Sequence, residues 1–129
     1  MNRTYNPGSI APPIGGYSHG VEIGPGQRLL FISGQIPAAP DGAVPADFEG
    51  QCAAAWFNVL AVLESAGLGP QDLVKVTTWL TDRSQADANG RIRRAHLGGA
   101  RPALTVVVAQ TLESPWLVEI EAIAATRGD

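Results

Sequence analysis

Two carboxylates, Glu119 and Glu121, sit in a segment that alternates between residue classes: Leu117-Val118-Glu119-Ile120-Glu121-Ala122-Ile123-Ala124. Side chains of a strand point in turn to its two faces. Val118, Ile120, Ala122 and Ala124 therefore share one face, and Leu117, Glu119, Glu121 and Ile123 the other. Carboxylates flanked by Leu and Ile fit neither a dry core nor an ordinary wetted surface. They suit a partly buried interface or pocket, where Glu119 could orient or deprotonate a water. Two solvated glutamates on an open sheet remain the alternative, because glutamate is seldom fully buried unless paired. Tyr17 offers a ring to stack on a planar ligand and a hydroxyl to bond it; it could equally anchor the Gly15-Gly16 loop. Ser33 and Gly34 end an apolar run, where a hydroxyl and an unobstructed backbone can approach a ligand. Neither His19 nor His96 is placed to activate Ser33, so a Ser–His hydrolase has weak support. Two histidines and one cysteine make no metal-ligand cluster.

The chain that must position these groups has 129 residues and a net charge of −3, and is expected to form one domain over residues 1–129. Its only basic run is Arg91-Ile92-Arg93-Arg94, which reads as the solvated side of a helix. That balance argues against a surface built to neutralise the phosphates of a nucleic acid. Cys52 is alone among apolar residues, which suits a buried structural thiol and a reducing compartment. Met1 to Pro7 contains no apolar signal core, and no stretch is long enough to span a bilayer. A soluble, cytoplasmic protein with no membrane partner is expected.

Val21-Glu22-Ile23 reads as a short strand, Gly24 to Gln27 as a turn, and Arg28 to Ser33 as a second strand. Asp47 caps a helix running to about Ala66, with Gly67 as its stop. Cys52, Trp56, Val59, Leu60 and Leu63 recur on its core face. Leu73 to Leu80 alternates again, with Val74, Val76, Thr78 and Leu80 on one face and Leu73, Lys75, Thr77 and Trp79 on the other. A weaker helix starts at Ser84, with Asp87 at capping-box spacing, and ends at Gly98-Gly99. The unbroken apolar run Ala103 to Ala109 predicts a central strand, and Leu117 to Ala125 the last one. The order β-β-β-α-β-α-β-β predicts an α+β fold with two helices on one face of a mixed sheet. The uncovered face, with Trp79, Glu119 and Ile123, is too apolar for water and predicts a homo-oligomer closing over it.

Gly15-Gly16-Tyr17-Ser18-His19-Gly20-Val21, Ile32-Ser33-Gly34-Gln35-Ile36, Ala66-Gly67-Leu68 and Val118-Glu119-Ile120-Glu121-Ala122-Ile123-Ala124 together resemble the RidA (YjgF) family, in order along nearly the whole chain. The resemblance implies a chorismate-mutase-like fold and a homotrimer with small-molecule clefts at its subunit interfaces. It also implies, from the best-known branch, a 2-imino/2-enamine acid deaminase releasing 2-keto acids and ammonia without metal or cofactor. In that branch the arginine of a Pro-Ala-Arg segment holds the substrate carboxylate through paired hydrogen bonds. A glutamate fifteen residues later positions the attacking water. Here the segment reads Pro102-Ala103-Leu104, and Leu104 stands fifteen residues before Glu119: the glutamate is kept and the arginine is lost.

By the same resemblance Glu119 is the catalytic candidate, and Tyr17, Asn89 and Leu104 fall at ligand-lining positions; Ser33, Gly34 and Thr105 join them as candidate binding residues, and Arg101 either reaches into the cleft or is a surface arginine near the helix end. Arg101 is the nearest cation to the missing one, and Val106 stands where that branch often has cysteine. Two functions follow. One is a divergent hydrolase of imines, enamines or related carbonyl compounds, weak or inactive on ordinary 2-imino acids. The other is a non-catalytic trimer binding an apolar or weakly polar metabolite, which Leu104 favours. Endoribonuclease activity, known for some relatives, is less supported by the acidic balance.

Overall fold

The computed structural model describes residues 2–126; Met1 and residues 127–129 of the expected domain lie outside the described residues. The strands are β1 (Arg3–Tyr5), β2 (Gly20–Glu22), β3 (Leu29–Gln35), β4 (Leu73–Leu80), β5 (Ala103–Val108) and β6 (Val118–Ala125). Helix α1 (Phe48–Ser65) precedes β4, and α2 (Ala86–Leu97) follows it. The first two strands pair as a small antiparallel ribbon, and the others form a sheet in the order β3-β6-β4-β5. The last strand in sequence thus lies inside the sheet, antiparallel to both β3 and β4. Strands β4 and β5 run parallel, a connection that needs a long crossover, and α2 supplies it.

Local chemistry accounts for the helix ends. The Asp47 carboxylate accepts from the Gly50 N–H at 3.1 Å. At the other end Gly67 takes φ +73°, and the N–H groups of Leu68 and Gly67 return to the carbonyls of Leu63 and Glu64. This is the paired closure that glycine permits. The start of α2 differs from expectation. Asp82, not Ser84, is the capping side chain, and it caps a 3₁₀ turn, Arg83–Gln85, that leads into α2: its carboxylate accepts from the Ser84 N–H, and Gln85 reaches back to the Asp82 N–H. Asp82 and Gln85 box that single turn at the same three-residue spacing as Ser84 and Asp87, two residues earlier in the chain.

Both helices lie on the face of the sheet formed by Ile32, Val76, Leu80, Val118, Ile120, Ala122 and Ala124, and Trp56, Val59, Leu63, Ile92 and Leu97 meet them there. Trp56 is fully buried, as its helical spacing indicates. Three further expectations change. Leu73 is buried on the core face, because β4 bulges between Leu73 and Lys75 and Val74 absorbs the extra residue. Strand β5 is an edge strand, with Val106, Val107 and Val108 40–47% exposed. Its apolar run signals two faces able to pack, but not which neighbour covers them. Arg93, finally, is only 5% exposed, although Arg91 and Arg94 are on the surface.

Among the described residues no helix is long and apolar enough to cross a membrane. Cys52 is fully buried between the helices, and burial pushes its thiol up to about 12 against the opposing pull of Arg93 and Arg91. A thiol so raised keeps its proton where the unfolded chain has lost it. Its contribution to stability is complete below the ordinary thiol value of 9.0 and is lost as pH rises toward 12. We predict that Cys52 resists iodoacetamide at pH 8 in the folded protein and reacts promptly in denaturant, as read by mass spectrometry; prompt labelling of the folded chain would contradict this packing.

Candidate active site

The face of the sheet opposite the helices carries the candidate carboxylate, Glu119. Glu119 and Trp79 are cross-strand partners, as are Glu121 and Thr77, and Ile123 and Lys75. On the flanking strands Phe31 stands opposite Ile123, and Thr105 beside Thr77. No helix covers this face: Phe31 is 70% exposed, while Glu119, Trp79 and Ile123 are half-buried among one another. Lys75 is the cation of the group, and its Nζ donates to the Thr105 hydroxyl at 2.7 Å.

Glu119 is set in place by a defect in β3. Between Ile32, opposite Ala122, and Gln35, opposite Ile120, two residues of β3 stand against Glu121 alone. Those two residues are Ser33 and Gly34, so the strand bulges there, a device that re-aims side chains next to functional sites. The Gln35 side chain donates to the Ser33 carbonyl at 3.0 Å and braces the bulge. The Glu119 carboxylate lies directly over Gly34. A Cβ added at Gly34 would collide with Oε2 and come within 2.9 Å of Cδ. Glycine at 34 therefore makes the notch in which the carboxylate rests, and Ser33, its neighbour in the bulge, is exposed. The structure brings Glu119, Ser33 and Gly34 together, with Thr105 on the same face but engaged by Lys75.

The other candidates gather elsewhere. Leu104 pairs in register with Val76 and packs against the core, on the opposite face from Glu119. Asn89 is buried on the helix side and accepts from the Cys52 thiol at 3.8 Å. Tyr17 stands edge-on to His19 with ring centres 5.7 Å apart. Its loop runs along the free edge of β5: the Ser18 N–H donates to the Pro102 carbonyl at 3.0 Å, and Ser18 bridges Ala103. Arg101 is exposed beside Gly16 and donates to the Ala100 carbonyl at 3.1 Å. Tyr17, Arg101, Leu104 and Asn89 thus belong to the region of α2 and the start of β5, and the thickness of the sheet separates Leu104 and Asn89 from Glu119 within one chain. Among the described residues no group of three His, Cys, Asp or Glu side chains gathers as metal ligands.

Sequence reading missed two features of these regions. The seating of Glu119 on Gly34 leaves no trace in spacing, because it depends on the bulge. Arg93 did leave one: Asn89, Arg93 and Leu97 are four residues apart and share the buried face of α2.

The notch makes a direct test possible. In Gly34→Ala the added methyl should displace the Glu119 carboxylate and lower ligand binding or turnover at least tenfold, with a tertiary fold unchanged by circular dichroism. Unchanged function together with an unmoved Glu119 in a crystal structure of the variant would remove the notch from the site.

Known proteins share the sequence and the fold of this chain. The family described as Endoribonuclease L-PSP matches residues 8–126. A 2-iminobutanoate/2-iminopropanoate deaminase of Escherichia coli is 34% identical over 131 residues, covering 98% of this chain and 100% of that one. A crystal structure of a Rid-family protein of unknown function, YyfB from Yersinia pestis, superposes with a TM-score of 0.86 at 28% identity, over 97% of this chain and 98% of its own. That of E. coli TdcF with bound serine gives a TM-score of 0.72 at 31% identity, over 95% and 94%. The matched order of segments, the α+β architecture and the end-to-end correspondence show that the chain belongs to the RidA (YjgF) family.

Proposed function

We propose that this protein hydrolyses small imines and enamines, or related reactive carbonyl derivatives, in clefts between the copies of a cytoplasmic homotrimer. The observation that carries the reading is the Glu119 carboxylate seated in the Gly34 notch, on a mixed apolar face that no helix covers. There Glu119 takes a proton from water as the water oxygen adds to the C=N carbon. The protonated Glu119 passes that proton to nitrogen, the C–N bond breaks with its electron pair leaving as ammonia, and the hydroxyl returns its proton to the Glu119 carboxylate as the carbonyl forms. Ser33, exposed beside Gly34, supplies a hydroxyl to hold that of the aminoalcohol intermediate. Because Leu104 and Asn89 lie beyond the sheet from Glu119, a site using both groups needs Glu119 from one copy and the Tyr17–Leu104 region from another. That requirement, with the uncovered face bearing Phe31, Trp79 and Ile123, supports a closed assembly.

The deaminase named above and the serine-bound TdcF structure support a small amino-acid-derived ligand. Leu104 modifies that expectation: a hydrocarbon cannot pair with a carboxylate next to the reacting carbon, so ordinary 2-imino acids should be poor substrates. The same leucine favours a second reading, a trimer that binds an apolar or weakly polar metabolite without turning it over. Endoribonuclease activity has less support from a chain of net charge −3.

The two readings separate in one assay. 2-Iminobutanoate and a neutral ketimine are generated in situ, and their hydrolysis by wild type and Glu119→Ala is compared. We expect acceleration of the neutral imine that falls about 10²–10⁴-fold in Glu119→Ala, weak action on 2-iminobutanoate, and a gain on the acid in Leu104→Arg. No acceleration of either compound sinks the hydrolase. A monomer in sedimentation velocity sinks the interface cleft.

A further inference from the structure

A groove on α1 takes no part in the site around Glu119. It lies between the helix and the loop that joins β3 to α1, and encloses a cavity of about 460 Å³. That is within the usual range for small-molecule sites. Its helix side is Ala54, Phe57 and Asn58, neighbours on one face of α1. Its loop side is Pro37, Pro40 and Pro45, with only alanines and Val44 besides. Phe57 is 68% exposed, although its neighbour in sequence, Trp56, is fully buried. A large ring left in solvent at the wall of an apolar cavity marks a contact surface.

The loop holds its form without a ligand. The Asn58 amide donates to the carbonyls of Ile36 and Ala38 at 2.9 and 3.1 Å, tying the loop to the helix. The Ala39 N–H donates to the Ala43 carbonyl, and the Gly42 N–H to that of Ala39. The Asp41 carboxylate accepts from the Ala43 N–H at 3.0 Å. Three prolines fix their own φ angles. Binding therefore does not have to order the wall of the groove.

The polar groups at the groove say what it can hold. Prolines carry no N–H, and those of Ala38, Ala39 and Ala43 are engaged within the loop. Of the lining loop residues Val44 alone keeps an N–H with no described partner, whereas the carbonyls of Pro40 and Val44 accept no described bond. Charge points the same way. From Leu29 to Val74 the chain has no Lys, Arg or His, while Asp41 stands at the loop tip and Asp47 at the loop's end. Both are exposed, and among the described residues neither is in an ion pair.

We propose that this groove binds a small arylalkylamine. The ring lies along Phe57 between the proline walls, and the ammonium meets the carbonyls of Pro40 and Val44 and the carboxylate of Asp41. An ammonium brings three donors to acceptors that the chain does not use. The ring takes Phe57 out of water, and the cation faces a loop whose charges are all negative. A carboxylate ligand would meet two aspartates and no cation. The groove thus differs in ligand class from the Glu119 site, and the inference does not depend on the hydrolase.

The test is a binding titration followed by NMR at neutral pH. The probes are 2-phenylethylamine, 2-phenylethanol and 3-phenylpropanoate, which share a ring and a short tether and differ in the head group. We expect saturable shifts centred on Pro37 to Pro45 and on Phe57, with the amine at least fivefold tighter than the alcohol and the acid weakest. Asp41→Asn keeps an oxygen for the Ala43 N–H but removes the charge; it should weaken the amine at least threefold and leave the alcohol unchanged. Phe57→Ala, at an exposed helix position, should weaken the amine at least fivefold. No saturable shift, shifts centred elsewhere, equal or tighter binding of the alcohol or acid, or unchanged amine affinity in either variant would each overturn the proposal.

Discussion

The two-residue period of β6 is the constraint on which the rest of the molecule depends. As an inner strand, hydrogen-bonded to β3 on one side and β4 on the other, β6 cannot shift register without turning its side chains over. One face is therefore committed to the core, where Val118, Ile120, Ala122 and Ala124 meet Trp56, Val59 and Leu63. Burial of these groups, at about 25 cal/mol per Å² of apolar surface, holds the carboxylates on the opposite face. The placement of Glu119 is thus a by-product of core packing: a one-residue slip would bury Glu119 and expose Ile120. The bulge in β3 completes the placement, because the Gly34 notch admits a carboxylate that a regular strand with a side chain would exclude.

That geometry divides the candidate residues. Glu119, Ser33 and Gly34 share the bare face, whereas Leu104 and Asn89 lie beyond the sheet and Tyr17 at the β5 edge. A strand two residues deep in polar and apolar alternation cannot present both sets to one ligand. On the proposed reading the division is resolved by assembly, which also covers Phe31 and the valines of β5. The arginines of α2 sit with the Tyr17 set, where Arg93 and Arg94 both donate to the Gly15 carbonyl.

Much of this was legible in the sequence where a period or a cap governs. The alternation of β6, the apolar stripe of α1, the Asp47 cap and the Gly67 stop all appear where expected, because each depends on residues close in the chain. What depends on distant partners was not legible. The bulge at Val74 reversed the face of Leu73, and the edge position of β5 follows from sheet order, which its valines do not encode. The Gly34 notch needs β3 and β6 in their actual register. Arg93 was read as solvated from its charge, although its spacing from Asn89 and Leu97 placed it on the inner face; the buried partner, the Gly15 carbonyl, lies 78 residues away.

The division of the site between copies is tested most directly by mixing. Glu119→Ala and a Tyr17→Ala variant are each prepared, dissociated in mild denaturant and reassembled together. If each site takes Glu119 from one copy and Tyr17 from the next, a random one-to-one mixture in a cyclic assembly regains about one quarter of the wild-type sites, read as ligand binding or turnover. The account predicts that recovery from two parents that are each inactive. A mixture no more active than its parents, with exchange of subunits confirmed by mass spectrometry, would contradict it.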